Sequence, residues 1–165
     1  MLKFRKVEKK EDFIPILEWG KREDAYLFTP SFLLGKKRTL EENWTNYKNS
    51  EKTVFLVEKD LVVIGEVSYD LNFPLIMKKD KKTAWIGIVF PEAKGKGYGK
   101  VAMKFLEEKI KELGIKRIEL GCFEYNTRAY DFYIKLGYKE IGRLDKFTYY
   151  DKKWWQDIRM EKEFE

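Results

Sequence analysis

Histidine is absent from all 165 residues, and cysteine occurs once, as Cys122. A chain so composed cannot assemble a Ser-His-Asp triad, a Cys-His dyad or a zinc finger of the usual kind, and it has no second thiol for an internal disulfide. Proline is scarce, at 4 residues, and no Pro/Gly/Ser-rich stretch marks a linker. No apolar run approaches the roughly 20 residues that span a bilayer, and the opening Met1–Lys10 is charged, unlike a secretory leader. These absences predict one domain over residues 1–165 in a reducing cytoplasm, with no membrane association and no metal.

Charge is abundant. Lys+Arg number 34 against 28 Asp+Glu, a formal net charge of +6. The two signs are interleaved along most of the chain, so nucleic acid is not the expected partner. The densest basic cluster, Lys78–Lys82, contains Asp80, lies between two strand-like runs and reads as a solvated loop. The basic balance suits an anionic ligand equally well.

Periodicity gives an alternation of elements. Leu2–Val7 alternates apolar with basic residues as a strand does; Glu11–Trp19 places Phe13, Ile16 and Leu17 at helical spacing. Thr39–Tyr47 opens on a capping box formed by Thr39 and Glu42. Thr53–Val57 and Leu61–Tyr69 form a hairpin across Glu58-Lys59-Asp60, and Thr83–Phe90 adds a third strand. Gly99–Leu113 carries Val101, Ala102, Phe105, Leu106, Ile110 and Leu113 on one helical face and stops at Gly114. Arg117–Phe123 is a strand, Asn126 caps a helix to Leu136, and Tyr138–Phe147 with Trp154–Phe164 makes a C-terminal hairpin. The strand-helix-strand unit from Trp85 to Phe123 is a crossover, which implies a parallel pairing. The fold class is therefore α/β: a mixed, mostly antiparallel sheet of six to seven strands flanked by helices.

Between a strand end and a helix start lies Pro91-Glu92-Ala93-Lys94-Gly95-Lys96-Gly97-Tyr98-Gly99-Lys100. Alternating glycines let backbone N–H groups approach a ligand, and a helix N-terminus adds partial positive charge, so the loop suits a phosphate or pyrophosphate. It is not a P-loop, because Lys94 stands at the first glycine position and Val101 at the hydroxyl position. Nor does it match a dinucleotide fingerprint, which needs its third glycine one residue beyond Gly99.

The segment resembles motif A of the GNAT superfamily of N-acetyltransferases, Gln/Arg-x-x-Gly-x-Gly/Ala, with Lys94 in place of Gln/Arg and with Gly97 and Gly99 present. Asn126-Thr127-Arg128-Ala129-Tyr130-Asp131-Phe132-Tyr133-Ile134-Lys135-Leu136-Gly137-Tyr138 resembles motif B, Asn-x-x-Ala-x-x-x-Tyr-x-x-x-Gly-Phe/Tyr, at every specified position. The element order agrees over essentially the whole chain. Trp154–Met160 is similar to the last strand of the branch that acetylates ribosomal-protein N-termini and polyamines. The resemblance implies a GNAT fold with a splayed central strand pair, and direct transfer of acetyl from acetyl-CoA to an amine in a ternary complex.

Carried over position by position, it implies that the backbone amides of Gly95, Gly97, Gly99 and Lys100 bind the CoA pyrophosphate, with charge from Lys96 and Lys100 and the motif's first position at Lys94. Main-chain groups at Val89 and Gly87 would align pantetheine and polarise the thioester carbonyl. Tyr133 falls at the general acid; with a reference pKa of ~10 against ~8.5 for a thiol, a phenol is protonated at neutral pH and able to donate. Asn126 would hydrogen-bond pantetheine, cap its helix, or both.

The general base is not given by the resemblance. The family's fourth-strand glutamate position holds Thr83, and its fifth-strand glutamate position holds Gly121. Glu66, Glu119 and Glu124 are left as candidates, beside a water chain to solvent. Cys122, in an apolar strand, reads as a core residue. Specificity is expected from the first two helices, with Glu23-Asp24 and Glu41-Glu42, and from the C-terminal hairpin, with Phe147, Tyr149, Tyr150, Trp154 and Trp155. A small-molecule amine and a peptide N-terminus both stay open as acceptor, and the C-terminal aromatics leave room for a homodimer. The rival readings are a non-catalytic acyl-CoA-binding sensor of the same fold and a basic RNA- or ribosome-associated protein.

Overall fold

The computed structural model describes residues 1–91 and 95–165. Seven strands form one mixed sheet: β1 (Lys3–Lys6), β2 (Lys52–Lys59), β3 (Val62–Asp70), β4 (Thr83–Val89), β5 (Arg117–Phe123), β6 (Lys139–Tyr150) and β7 (Lys153–Glu163). Their order is β1-β2-β3-β4-β5-β7-β6, antiparallel everywhere except β4–β5. The helices are α1 (Ile14–Trp19), α2 (Leu40–Lys48), α3 (Tyr98–Glu112) and α4 (Thr127–Lys135), with 3-10 turns at Lys10–Phe13 and Ala25–Leu27.

The expected α/β class and element order are both present. The capping box of α2 forms as read, with Thr39 Oγ1 accepting from Glu42 N at 3.1 Å and Glu42 Oε2 accepting from Thr39 N at 2.7 Å. Two boundaries move. The expected first helix splits, because Pro15 in its first turn fits the start of α1 and leaves Lys10–Phe13 as a 3-10 turn. The first hairpin turns on Asp60-Leu61 rather than Glu58–Asp60; both residues have positive φ, 50° and 67°, the mirror-image geometry that matches strand twist.

Two layers cover the sheet. α3 packs Ala102, Met103, Leu106 and Ile110 against Val67, Ala84, Ile86, Ile118, Leu120, Ile158 and Met160, and α4 adds Tyr133 to the same core. Burying Met103, Leu106 and Ile110 contributes about 1.5–3 kcal/mol each. On the opposite face, Val7, Phe13, Val54 and Leu56 form a smaller core under Ile16, Leu40, Trp44 and Tyr47. Beside it, on β5 and β7, the same face carries buried charge: Arg117, Glu119, Asp157, Arg159 and Glu161.

Residues 71–82 close over that charged region. Leu75 O accepts from Arg159 Nη1 at 2.8 Å, Met77 N donates to Glu119 Oε1 at 2.7 Å, and Lys78 O accepts from Arg117 Nη2 at 2.9 Å. Phe73 stacks on Trp85 at 4.3 Å. The Lys78–Lys82 side chains remain exposed, as a solvated loop requires.

Candidate functional site

The site begins where the sheet opens. β4 pairs with β5 only through Thr83, Ala84 and Trp85, yet it stays paired with β3 as far as Val89. Beyond Trp85 the two parallel strands separate, and the main-chain groups of β4 on its β5 side, around Gly87 and Val89, are left without a strand partner. Gly87 faces Ser68, whose Oγ lies 3.1 Å from where a Cβ would stand, so any larger residue would crowd the β3 side chain.

At the exit of β4, Gly95 and Gly97 adopt φ of 81° and 77°, and Gly97 is the N-cap of α3 with no side chain capping the helix. Left-handed backbone at both glycines and an uncapped 15-residue helix leave N–H donors and a positive dipole end exposed. Gly99 serves a second purpose. A Cβ there would meet the Phe132 ring at 3.1 Å, so the glycine lets α4 pack against the first turn of α3. Lys96 and Lys100 are exposed beside these amides, and Lys94 lies outside the described residues.

Arg128 belongs with this loop although sequence reading passed over it: its Nη2 lies 3.2 Å from the Cβ position of Gly95. The signal was available in the first turn of α4, which motif B places next to motif A. A cradle of glycine amides, a helix N-terminus and a guanidinium suits the phosphates of a CoA-type ligand.

Tyr133, on α4, is buried beneath the sheet, and its hydroxyl makes no hydrogen bond among the described residues. Burial, reinforced by the neighbouring Cys122, raises the phenol well above its ordinary value, so it stays protonated and able to donate. Burial likewise pushes the Cys122 thiol up to about 12, with Asp157 adding to the effect, which makes it a core thiol rather than a nucleophile. Asn126 spends both ends of its amide on the fold: Oδ1 accepts from Ala129 N at 3.2 Å as a helix cap, and Nδ2 donates to Leu27 O at 3.1 Å. Its second N–H and second oxygen lone pair are left for a further partner.

The carboxylates on the opposite face separate clearly. Glu119 is fully buried and accepts from Met77 N at 2.7 Å and Arg117 Nη2 at 3.4 Å, so it fastens the 71–82 segment to β5. Glu124 accepts from Gln156 N at 3.3 Å and lies 3.8 Å from Arg143. Thr83, at the fourth-strand position, donates to Asp80 at 2.6 Å and accepts from Arg117 Nε at 2.9 Å. Glu66 sits half-buried on β3, in register with Val89, and burial raises its carboxyl, partly offset by Lys52.

A fourth acidic residue, absent from the sequence-derived candidates, reaches the gap itself. Asp157, on β7 and in register with Phe123, is 3% exposed. Its Oδ2 lies 2.6 Å, and the Trp85 ring 2.9 Å, from where a Cβ on Gly121 would be. The glutamate expected by resemblance at 121 could not fit; a carboxylate arrives there from the neighbouring strand instead. Burial pushes the Asp157 carboxyl up to about 6 against the opposing pull of Arg159, whose Nε donates to Oδ2 at 2.7 Å. The folded chain therefore holds this proton more tightly than an unfolded one. Asp157 costs stability above pH 6 and returns it as pH falls toward 4, by about 3 kcal/mol at most.

Aromatic residues surround the partner of this carboxylate. The Arg159 guanidinium lies 4.6 Å from the Trp85 ring centroid, 5.8 Å from Phe147 and 6.0 Å from Phe73. Tyr26 stacks on Tyr150 at 4.1 Å and takes the Tyr125 hydroxyl's hydrogen bond on its carbonyl at 2.6 Å. Phe147, Tyr150 and Trp155 are partly buried on this side, while Tyr149 and Trp154 face solvent and contact each other. Glu41 and Glu42 do not enter the site: Glu41 pairs with Lys10 and Glu42 caps α2. Asp24 pairs with Arg22.

A glycine-led helix start thus meets a split in a mixed sheet, with a buried phenol on one face and a buried carboxylate on the other. The chain belongs to the acetyltransferase (GNAT) family, whose model matches residues 16–138. Among curated proteins none matches the sequence. Among solved structures, it is similar to a spermidine N-acetyltransferase from Vibrio cholerae in complex with CoA and spermine, at 19% identity and TM-score 0.79, covering 98% of this chain and 95% of that one. It is also similar to a ribosomal-protein-alanine N-acetyltransferase from Brucella melitensis, at 18% identity and TM-score 0.76 over 99% of both chains. An N-acetyltransferase from Staphylococcus aureus Mu50 matches at 23% identity and TM-score 0.76, over 99% of this chain and 98% of the other.

Proposed function

We propose that the protein transfers the acetyl group of acetyl-CoA to a primary amine by direct attack in a ternary complex. The observation that carries this reading is the separation of β4 from β5 beyond Trp85, with an uncapped, glycine-led helix at the end of β4 and the free hydroxyl of Tyr133 beneath the sheet. Family membership and the CoA-bound Vibrio structure support it.

In this reading the amides of Gly95, Gly97, Gly99 and Lys100, with Arg128, Lys96 and Lys100 side chains around them, hold the phosphates. Unpaired main-chain groups at Val89 and Gly87 align the pantetheine arm and polarise the thioester carbonyl, a donor arrangement fixed before the reaction. The amine nitrogen attacks the carbonyl carbon, the C–N bond forms, the C–S bond breaks, and Tyr133 gives the departing thiolate its proton. Glu66, one strand removed from the gap, adds negative potential on the side from which a cationic acceptor arrives. The acceptor is a small amine or a peptide N-terminus. Spermine in the Vibrio structure and the alanine terminus named for the Brucella protein mark those two classes in relatives.

Thiol release from acetyl-CoA over a panel of spermidine, aminoglycosides, amino acids and N-terminal peptides tests the proposal. Turnover on one amine class is expected. Acetyl-CoA protecting the fold against heat with no turnover on any amine would favour the non-catalytic sensor instead, and salt-sensitive RNA binding without that protection would favour the RNA-associated reading.

A further inference from the structure

We propose that Asp157 receives the acceptor ammonium and takes its proton before attack. The proposal rests on the acetyltransferase reading and supplies the base that resemblance left open.

Placement is the first argument. Gly121 and Gly87 stand on the two strands that separate, and the Asp157 carboxylate occupies the space that a side chain at 121 would fill, against the Trp85 ring. No other candidate carboxylate reaches this point. Glu119 is held by the 71–82 segment and Arg117, Glu124 by Gln156 and Arg143, and Glu66 stands on β3, beyond β4.

The second argument is an incomplete ion pair. Arg159 is fully buried, and a buried arginine commonly grips a carboxylate with two parallel hydrogen bonds. Here only Nε reaches Asp157 Oδ2, at 2.7 Å; Nη1 goes to Leu75 O, and Nη2 has no partner among the described residues. Asp157 Oδ1 likewise accepts no hydrogen bond from them. The pair thus leaves Oδ1 without a donor, while the unpartnered Nη2 is sealed from solvent. An ammonium donates to Oδ1. The Trp85 ring stands beside the position, and its neighbours Phe73 and Phe147 lie around the Arg159 guanidinium.

Burial supplies the third argument, because it brings the carboxyl up to about 6, where it is ionised at neutral pH yet basic enough to exchange a proton. The groups facing it are Arg159 on its own strand, with Glu119 3.8 Å from that guanidinium, and Tyr125 at the end of β5; the Cys122 thiol, on the other face of β5, senses it through the sheet. β6 presents uncharged Leu144 in register. Two protons leave the nitrogen during the reaction. One passes through Asp157 to solvent, and Tyr133 delivers its own to the CoA sulfur and is reprotonated from solvent by the other.

The experiment is kcat/KM for an active amine from pH 5 to 9, for wild type, Asp157→Asn and Glu41→Gln, with heat protection by acetyl-CoA measured alongside. Asparagine still accepts from Arg159 Nε, so folding and acetyl-CoA protection are expected to persist. Wild type should fall off below about pH 6 and level above it; Asp157→Asn should lose at least about 100-fold at pH 7 and rise about tenfold per pH unit, because only the free amine then reacts. Glu41→Gln, outside the site, should keep the wild-type profile. An Asp157→Asn profile that still levels above pH 6 overturns the proposal, as does a wild-type profile that climbs without levelling, a result that needs no folded variant. A wild type silent on every amine overturns the acetyltransferase reading and this assignment with it.

Discussion

The two faces of β5 and β7 are built from the same alternating strands and solve burial in opposite ways. Toward α3 and α4 the strands present Ile118, Leu120, Cys122, Ile158 and Met160, which are packed by shape alone. Toward the 71–82 segment they present Arg117, Glu119, Asp157, Arg159 and Glu161, equally hidden but satisfied by ion pairs and backbone carbonyls. An apolar face can only hold the fold together. The charged face, with one acceptor left over beside the gap, also has the means to bind and move a proton.

Breaking the polar face should cost most. Arg159→Met leaves Asp157 and Glu119 short of a counter-charge, and we expect a loss of about 3–5 kcal/mol in unfolding free energy at pH 8. Met160→Ala, one residue along on the apolar face, should cost about 2–5 kcal/mol through its cavity. Urea unfolding at two pH values separates the mechanisms: the Arg159→Met deficit shrinks toward pH 5 as Asp157 takes up its proton, and the Met160→Ala deficit does not change.

Tyr133→Phe sharpens the comparison from the other side of the sheet. It should lower kcat about 100-fold with acetyl-CoA affinity retained, read by steady-state kinetics and calorimetry. Undiminished turnover would remove Tyr133 from the acid role. Arg128→Ala should have the smallest effect, weakening acetyl-CoA several-fold without touching kcat at saturation, since an exposed guanidinium adds only screened attraction to a site formed by backbone amides.

Much of this architecture was legible because the strong signals are local. The Thr39–Glu42 box, Gly114 and Gly137 after their helices, and the apolar stripe of α3 each dictate an element through neighbours in sequence. Motifs A and B located the cradle and Tyr133 for the same reason. Asp157 was not legible. Alternation in Asp157-Ile158-Arg159-Met160-Glu161 reads as one buried face and one wet face, and the pattern is identical when a distant segment covers the polar side. The cover comes from Phe73–Lys78, about eighty residues upstream, tied down by contacts such as Arg159 Nη1 to Leu75 O at 2.8 Å. Arg128 and the split first helix were missed for smaller reasons: one depends on how two helix starts meet, the other on a boundary that propensity sets only loosely.

The most direct measurement of the central claim is a crystal structure with CoA bound. The account predicts the pyrophosphate against the amides of Gly95–Lys100, the pantetheine arm along β4 at Gly87 and Val89, and the sulfur within hydrogen-bond reach of the Tyr133 hydroxyl. A CoA whose sulfur lies outside the gap between β4 and β5, with Tyr133 and Asp157 untouched on either side, would contradict it.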